Sequence, residues 1–193
     1  MKTFCEYLKE QSDKSIAFTF GRFQPPTIGH EKLFRVVADA GRHNKYMIVA
    51  SHSTDQKVNL LPWGEKIAVL KEFFPEFASH FSVNPKYTNI IDILKGLSAE
   101  QYVNVTMVVG SDRVAKFKDL VNTYNGKDYN IPFLEVISAG ERDPDDDGAS
   151  GASSSKARAA AVEGNFREFC KMLPKTATKA TSTKLFELFR KSR

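Results

Sequence analysis

Apolar residues fall into short uninterrupted runs that alternate with stretches of helical spacing. Ile16-Ala17-Phe18-Thr19-Phe20, ended by Gly21, is rich in aromatic and β-branched types and reads as a strand. Residues 29–41 place Leu33, Val36, Val37 and Ala40 on one face and close at Gly41, which reads as a helix. Tyr46 to Ala50 predicts a second buried strand, 51–62 a polar loop, and 63–74 a helix stopped by Pro75. A short strand near 80–83, a helix around 88–97 and a third long strand over 103–109, ended by Gly110, follow. A helix over 112–124, a turn at Asn125-Gly126 and a strand over 133–137 complete this pattern. Upstream, Phe4, Tyr7 and Leu8 have the spacing of a short lead-in helix over 4–10.

Strands that alternate with helices build βαβ units with right-handed crossovers. Their near-continuous apolar composition is what a sheet covered on both faces requires. The expectation is an α/β, Rossmann-like, doubly wound parallel sheet with helices on both faces. After the sheet the texture changes. Residues 140–155 are too polar and Gly-rich for a core element and read as a long loop, either functional or disordered. Its acidic run, Glu141 to Asp147, lacks the spacing of a calcium loop and reads as a solvated lid. Helices follow at about 154–163 and 166–172, then a Thr/Lys-rich linker over 174–183. Leu185, Phe186, Leu188 and Phe189 lie on a final basic helix, a small C-terminal extension. This divides the chain into a lead-in helix (1–14), a main domain (15–173) and a basic linker with its helix (174–193).

Composition changes the picture only a little. At 193 residues, 41% hydrophobic and 26% charged, the chain suits one ordinary globular domain. No apolar run approaches the ~20 residues that span a bilayer. Residues 1–14 are charged throughout and lack an apolar signal-peptide core. Two cysteines, Cys5 and Cys170, make no disulfide framework, and a reducing cytoplasm is the natural expectation. The net charge of +5 suits a protein that handles polyanions, but it does not separate nucleotides from nucleic acid.

The candidate chemistry starts where the first strand ends. Gly21-Arg22-Phe23-Gln24-Pro25-Pro26-Thr27-Ile28-Gly29-His30 joins that strand to the first helix. Ligands of open α/β sheets bind outside the carboxyl ends of the strands. A helix N-terminus placed there offers N–H groups and partial positive charge to a phosphate. Gly21 and Gly29 allow close approach, and His30 adds an imidazole N–H. A second candidate, Ser153-Ser154-Ser155-Lys156-Ala157-Arg158, opens a later helix with hydroxyls and cations, a phosphate clamp. Taken alone, that serine run also reads as a flexible linker. A third, Gly110-Ser111-Asp112-Arg113, follows the third long strand. There Asp112 either meets a ligand or, with Ser111, caps the next helix. A fourth lies in Ser51 to Lys66, with Asn59 among its substrate candidates: Trp63 either stacks on a base or packs in the core at a helix start, and Lys57 and Lys66 either reach an acceptor phosphate or are solvated lysines.

The first segment resembles the signature of the nucleotidylyltransferase superfamily, written H/T-x-G-H, with Thr27 at its first position and His30 at its last. Its members include adenylyltransferases of nicotinamide mononucleotide and of phosphopantetheine, and cytidylyltransferases. The phosphopantetheine branch also carries Thr at the first position. The serine run is similar to the superfamily's second motif, Ile-Ser-Ser-Thr-x-Ile-Arg. Ser153, Ser154 and Arg158 match it, and Ser155 replaces Thr. Gly110 and Asp112 match a Gly-x-Asp of the superfamily, and 59–66 imperfectly resembles an Asn-Pro-Phe-Thr-x-x-Glu-Arg segment of the nicotinamide branch. The whole pattern is also similar to nucleotidyltransferases of large tailed phages.

The resemblance implies transfer of a nucleoside monophosphate, AMP in preference to CMP, from a triphosphate to a phosphate-bearing acceptor such as nicotinamide mononucleotide. It implies Thr27, His30 and Arg158 as catalytic groups. Gly21, Arg22, Phe23, Gly29, Gly110, Asp112 and Ser153 to Ser155 would hold the triphosphate, with Mg²⁺ carried mostly by the triphosphate and no protein ligand set for a metal. The alternatives are a cytidylyltransferase acting on a phosphomonoester and a non-catalytic binder of nucleotide or nucleic acid. The basic C-terminal helix suits docking or homo-oligomer formation as well as nucleic acid. A class I aminoacyl-tRNA synthetase needs an anticodon domain for which this chain has no room.

Overall fold

In a computed structural model, residues 14–42, 45–140 and 152–192 are described. The lead-in helix over 4–10, Cys5 and the acidic run 141–147 lie outside the described residues.

Four strands form the sheet: β1 (Ser15–Gly21), β2 (Tyr46–Ala50), β3 (Asn104–Val109) and β4 (Phe133–Ser138). All pair in parallel, in the order β2-β1-β3-β4. The chain leaves β1 toward β2 and then crosses back past it to reach β3. The strand order therefore reverses between β1 and β3, and a crevice opens beyond their carboxyl ends.

Helices α1 (Ile28–Ala40), α2 (Trp63–Phe73), α3 (Ile90–Ala99) and α4 (Val114–Tyr124) connect the strands or follow them, and α5 (Ser154–Val162), α6 (Phe166–Lys171) and α7 (Lys179–Arg190) come after β4. Alternate residues of each strand feed two cores. Ala17, Ile48, Ala50 and Val108 pack with Phe34 and Val37 of α1, with α2, and with Ala157, Phe169, Leu185 and Phe189 of the last three helices. Phe18, Val49, Val105, Met107 and Val109 pack on the other face with Ile93, Leu94 and Leu97 of α3 and Val121 of α4. The expected doubly covered, doubly wound parallel sheet is found.

Four local expectations are corrected. The strand expected at 80–83 is a single bridge between Phe81 and Ile48, because a 3-10 helix, Pro75–His80, delivers the chain there edge-on. The helix expected from 112 begins as a 3-10 turn, Ser111–Arg113, and becomes α-helical at Val114. Neither Ser111 nor Asp112 caps it: the cap positions are Gly110 and Arg113, without a side-chain bond. The linker ends early, at Thr178, whose hydroxyl caps α7. Its threonines are occupied rather than solvated. Thr176 Oγ1 donates to the Phe73 carbonyl, and Thr178 and Thr181 bond Glu72 at 2.7 and 2.8 Å. With Leu185 and Phe189 fully buried, α7 is bolted onto α2.

Candidate functional site

β1 delivers the chain to the crevice at Gly21, and the loop beyond it is fixed by packing. A Cβ on Gly21 would stand 2.6 Å from Phe23 Cε1, so the space glycine leaves is filled by that ring. Phe23 adopts φ +50°, a left-handed conformation that costs a bulky residue about 1–2 kcal/mol. Its ring, 4% exposed, meets His30 and Phe34 edge-on at 5.1 and 5.2 Å, which offsets that cost. Phe23 anchors the loop and also lines the crevice.

Thr27, buried at the start of α1, donates its backbone N–H to His30 Nδ1 at 3.0 Å. An amide can only donate, so Nδ1 accepts, and the neutral ring carries its proton on Nε2. Thr27 Oγ1 lies 3.1 Å from the same Nδ1. One first-turn donor of α1 is already used: the Ile28 N–H bonds the Met172 carbonyl. Gly29 is half-buried.

The second motif is tied to the first by side chains that reach its carbonyls. Ser154 Oγ donates to the Pro25 carbonyl at 2.9 Å, and Arg158 Nη1 donates to the Gln24 carbonyl at 2.6 Å. Ser153 Oγ caps α5 by accepting from the Lys156 N–H, and Ser155 Oγ accepts from Arg158 Nη2 at 3.1 Å. All three serine hydroxyls thus have partners that assemble the site.

Together these segments wall a cleft of about 120 Å³ within the described residues. Gly21, Arg22, Phe23, Thr27 and His30 line it from one side and Ser153, Ser154, Ser155 and Arg158 from the other, with Gly110 and Arg113 completing the β3 end. Three arginines line it, and among the described residues no carboxylate does. Burial, with repulsion from the nearby Arg22 and partly offset by attraction to Asp55, lowers the Arg158 guanidinium from its ordinary value. Asp112 does not line the cleft: it is 64% exposed and pairs with Arg113 at 3.7 Å.

The 51–66 segment contributes only Val58 to the cleft. Its polar groups turn inward. Lys66, fully buried, donates from Nζ to the Ser51 carbonyl at 2.6 Å and to Asn59 Oδ1 at 3.1 Å. Burial, helped by repulsion from Arg22, pulls its ammonium down to about 8. Gln24 closes the network: Nε2 donates to Asn59 Oδ1 and to the Leu61 carbonyl, and Oε1 accepts from the Leu61 N–H at 2.8 Å. Trp63 stacks on His52 with centroids 4.3 Å apart, and Lys57 is exposed. Three N–H groups, of Lys57, Val58 and Asn59, bond Asp55 Oδ1 and hold its carboxyl below the usual range.

Sequence reasoning passed over Gln24, Arg113 and Thr19. Gln24 fell on a variable position of the first motif. Arg113 stood beside the aspartate that drew attention. Thr19 was a hydroxyl inside an apolar strand run, and that contrast was the available signal.

Among the described residues no helix is long and apolar enough to cross a membrane, and no three His, Cys, Asp or Glu side chains cluster as a metal site. The fold is shared with solved structures. A nicotinic acid mononucleotide adenylyltransferase of Plasmodium falciparum complexed with NaAD aligns at TM-score 0.57 and 15% identity, covering 90% of this chain and 98% of that one. The same protein complexed with APC aligns at 0.56 and 14%, with the same coverage. A provisionally assigned nicotinate-nucleotide adenylyltransferase of Vibrio parahaemolyticus aligns at 0.53 and 16%, covering 89% and 98%. No curated protein matches the sequence significantly. The cytidylyltransferase-like family model matches residues 18–160. That span runs from β1 into α5 and contains both motifs that wall the cleft, so the chain belongs to the cytidylyltransferase-like family.

Proposed function

We propose that this chain is a nucleotidylyltransferase that moves a nucleoside monophosphate, AMP in preference, from a triphosphate to a phosphate-bearing acceptor. The observation that carries the proposal is the cleft itself: two motifs more than a hundred residues apart line one space, with three arginines and, among the described residues, no carboxylate. A site of that composition suits a polyanion. A phosphate oxygen of the acceptor attacks the α-phosphorus in line, and the bond from that phosphorus to the α,β-bridging oxygen breaks. Pyrophosphate leaves with the electron pair. The attacking oxygen is already anionic at neutral pH, so no general base is needed. Catalysis reduces to positioning and to charge stabilisation.

His30 supplies a neutral Nε2–H donor, oriented by the Thr27 amide. Arg158, braced on Gln24 and Ser155, and Arg22 supply positive charge where pyrophosphate develops its own. Among the described residues the lining offers hydroxyls and cations rather than carboxylates, which is not a cage for Mg²⁺. An accompanying ion would travel on the phosphate oxygens, and no step is assigned to it. The preference for AMP, and for nicotinate or nicotinamide mononucleotide as acceptor, draws support from structural neighbours that are adenylyltransferases. Cytidylyl transfer is the second reading, favoured by the family model.

Pyrophosphate release, followed with ATP or CTP against a panel of phosphomonoesters including both mononucleotides, tests the proposal. Release that requires one triphosphate and one acceptor is expected. A chain that releases none with any pair, while binding nucleic acid tightly, refutes it.

A further inference from the structure

Thr19 interrupts an otherwise apolar strand run, and its hydroxyl is buried, 1% exposed, with no hydrogen-bond partner. Valine has the same branching, suits a strand equally well and carries no hydroxyl to desolvate. The packing of β1 therefore gives no reason for threonine at this position. Thr19 also lines the cleft, two residues before Gly21 on the strand that runs into the first motif. A buried polar group that lacks a partner among the described residues, on a residue that lines the cleft, is matched to something that enters the cleft.

We propose that the Thr19 hydroxyl is a further binding residue: it donates a hydrogen bond to an oxygen of the bound nucleoside triphosphate. This rests on the nucleotidylyl-transfer reading and deepens it. The other polar lining points to the same chemistry. His30 Nε2–H, Arg22, Arg113 and Arg158 all present donors, and a lining rich in donors, without carboxylates among the described residues, calls for a ligand rich in acceptors. Thr19 lies on the strand that runs into the segment carrying Thr27 and His30, which favours contact with the triphosphate rather than with the acceptor.

The test compares wild type, Thr19→Val and Thr19→Ser as full chains, by melting temperature and by calorimetric titration with ATP and with CTP, no acceptor present. Thr19→Val is expected to melt at or above the wild-type temperature and to bind the preferred triphosphate roughly tenfold more weakly, the worth of one hydrogen bond. Thr19→Ser, which keeps the hydroxyl, is expected to bind within about threefold of wild type. A Thr19→Val chain that binds as wild type does, melts lower or fails to fold overturns the proposal, since the hydroxyl is then idle or structural. A wild-type chain that binds neither triphosphate and releases no pyrophosphate overturns instead the transfer reading beneath it.

Discussion

The cleft and the 51–66 segment use the same vocabulary of serines, amides and cations, and they spend it in opposite ways. Around the cleft, Arg22, Arg113, Arg158 and the His30 ring border a space that no carboxylate of the described residues lines. In 51–66, Lys66, Asn59 and Ser51 consume one another's hydrogen bonds, and Gln24 supplies the last partner. Residue type therefore does not separate a ligand-binding cation from a structural one. What separates them is whether neighbouring backbone carbonyls have already claimed the donors. Arg158 stands between the two cases, with one nitrogen held by the Gln24 carbonyl and the head still at the cleft wall.

The sharpest way to break this contrast is to remove one donor from each side. His30→Ala is expected to lower turnover by about 100-fold or more, as loss of a preorganised donor does, and to cost only about 1 kcal/mol of stability through the lost bond to the Thr27 amide. Initial rates and urea melts of the same preparation check both numbers. Lys66→Met should reverse the pattern. It orphans the Ser51 carbonyl and leaves Asn59 Oδ1 with Gln24 Nε2 alone, a loss of about 2 kcal/mol in stability, with turnover of the folded fraction changed less than about threefold.

Titration sharpens the same pair. The folded value of Lys66, about 8, lies below the ordinary 10.5, so between those values the unfolded chain binds the extra proton. Stability contributed through this site must then rise as pH increases from about 8 toward 10.5. The stability difference between wild type and Lys66→Met, measured by denaturation at pH 8 and pH 10, is expected to grow across the interval. A flat difference would show that the ammonium is as well solvated in the fold as outside it. The smallest effect belongs to Lys57→Ala, which alters an exposed side chain outside the cleft and should move stability by less than about 0.5 kcal/mol.

The fold was legible because β1, β2 and β3 are continuous apolar runs, as a sheet buried on both faces demands. What escaped was set by contacts distant in sequence. Phe81 meets β2 through one bridge because the preceding 3-10 helix fixes its approach, and no local pattern encodes that. Threonines 176, 178 and 181 looked like linker until Glu72 and the Phe73 carbonyl gave them partners. At the site, the two motifs stood out by their residue types, and the structure brings them to one cleft. Lys66 misled because Gly64-Glu65-Lys66 has the look of a solvated helix start, whereas the loop before it folds over the ammonium. Asp112 drew attention that belonged to its neighbour Arg113.

Ser154 and Arg158 reach back across 129 and 134 positions to the carbonyls of Pro25 and Gln24. During synthesis, a chain that has left the ribosome only through β4 holds half of a pocket. On the proposed reading, nucleotide competence arrives only with α5. A nucleotide held between the two motifs would then stabilise the docking of α5 against unfolding and protease in proportion to the logarithm of its concentration.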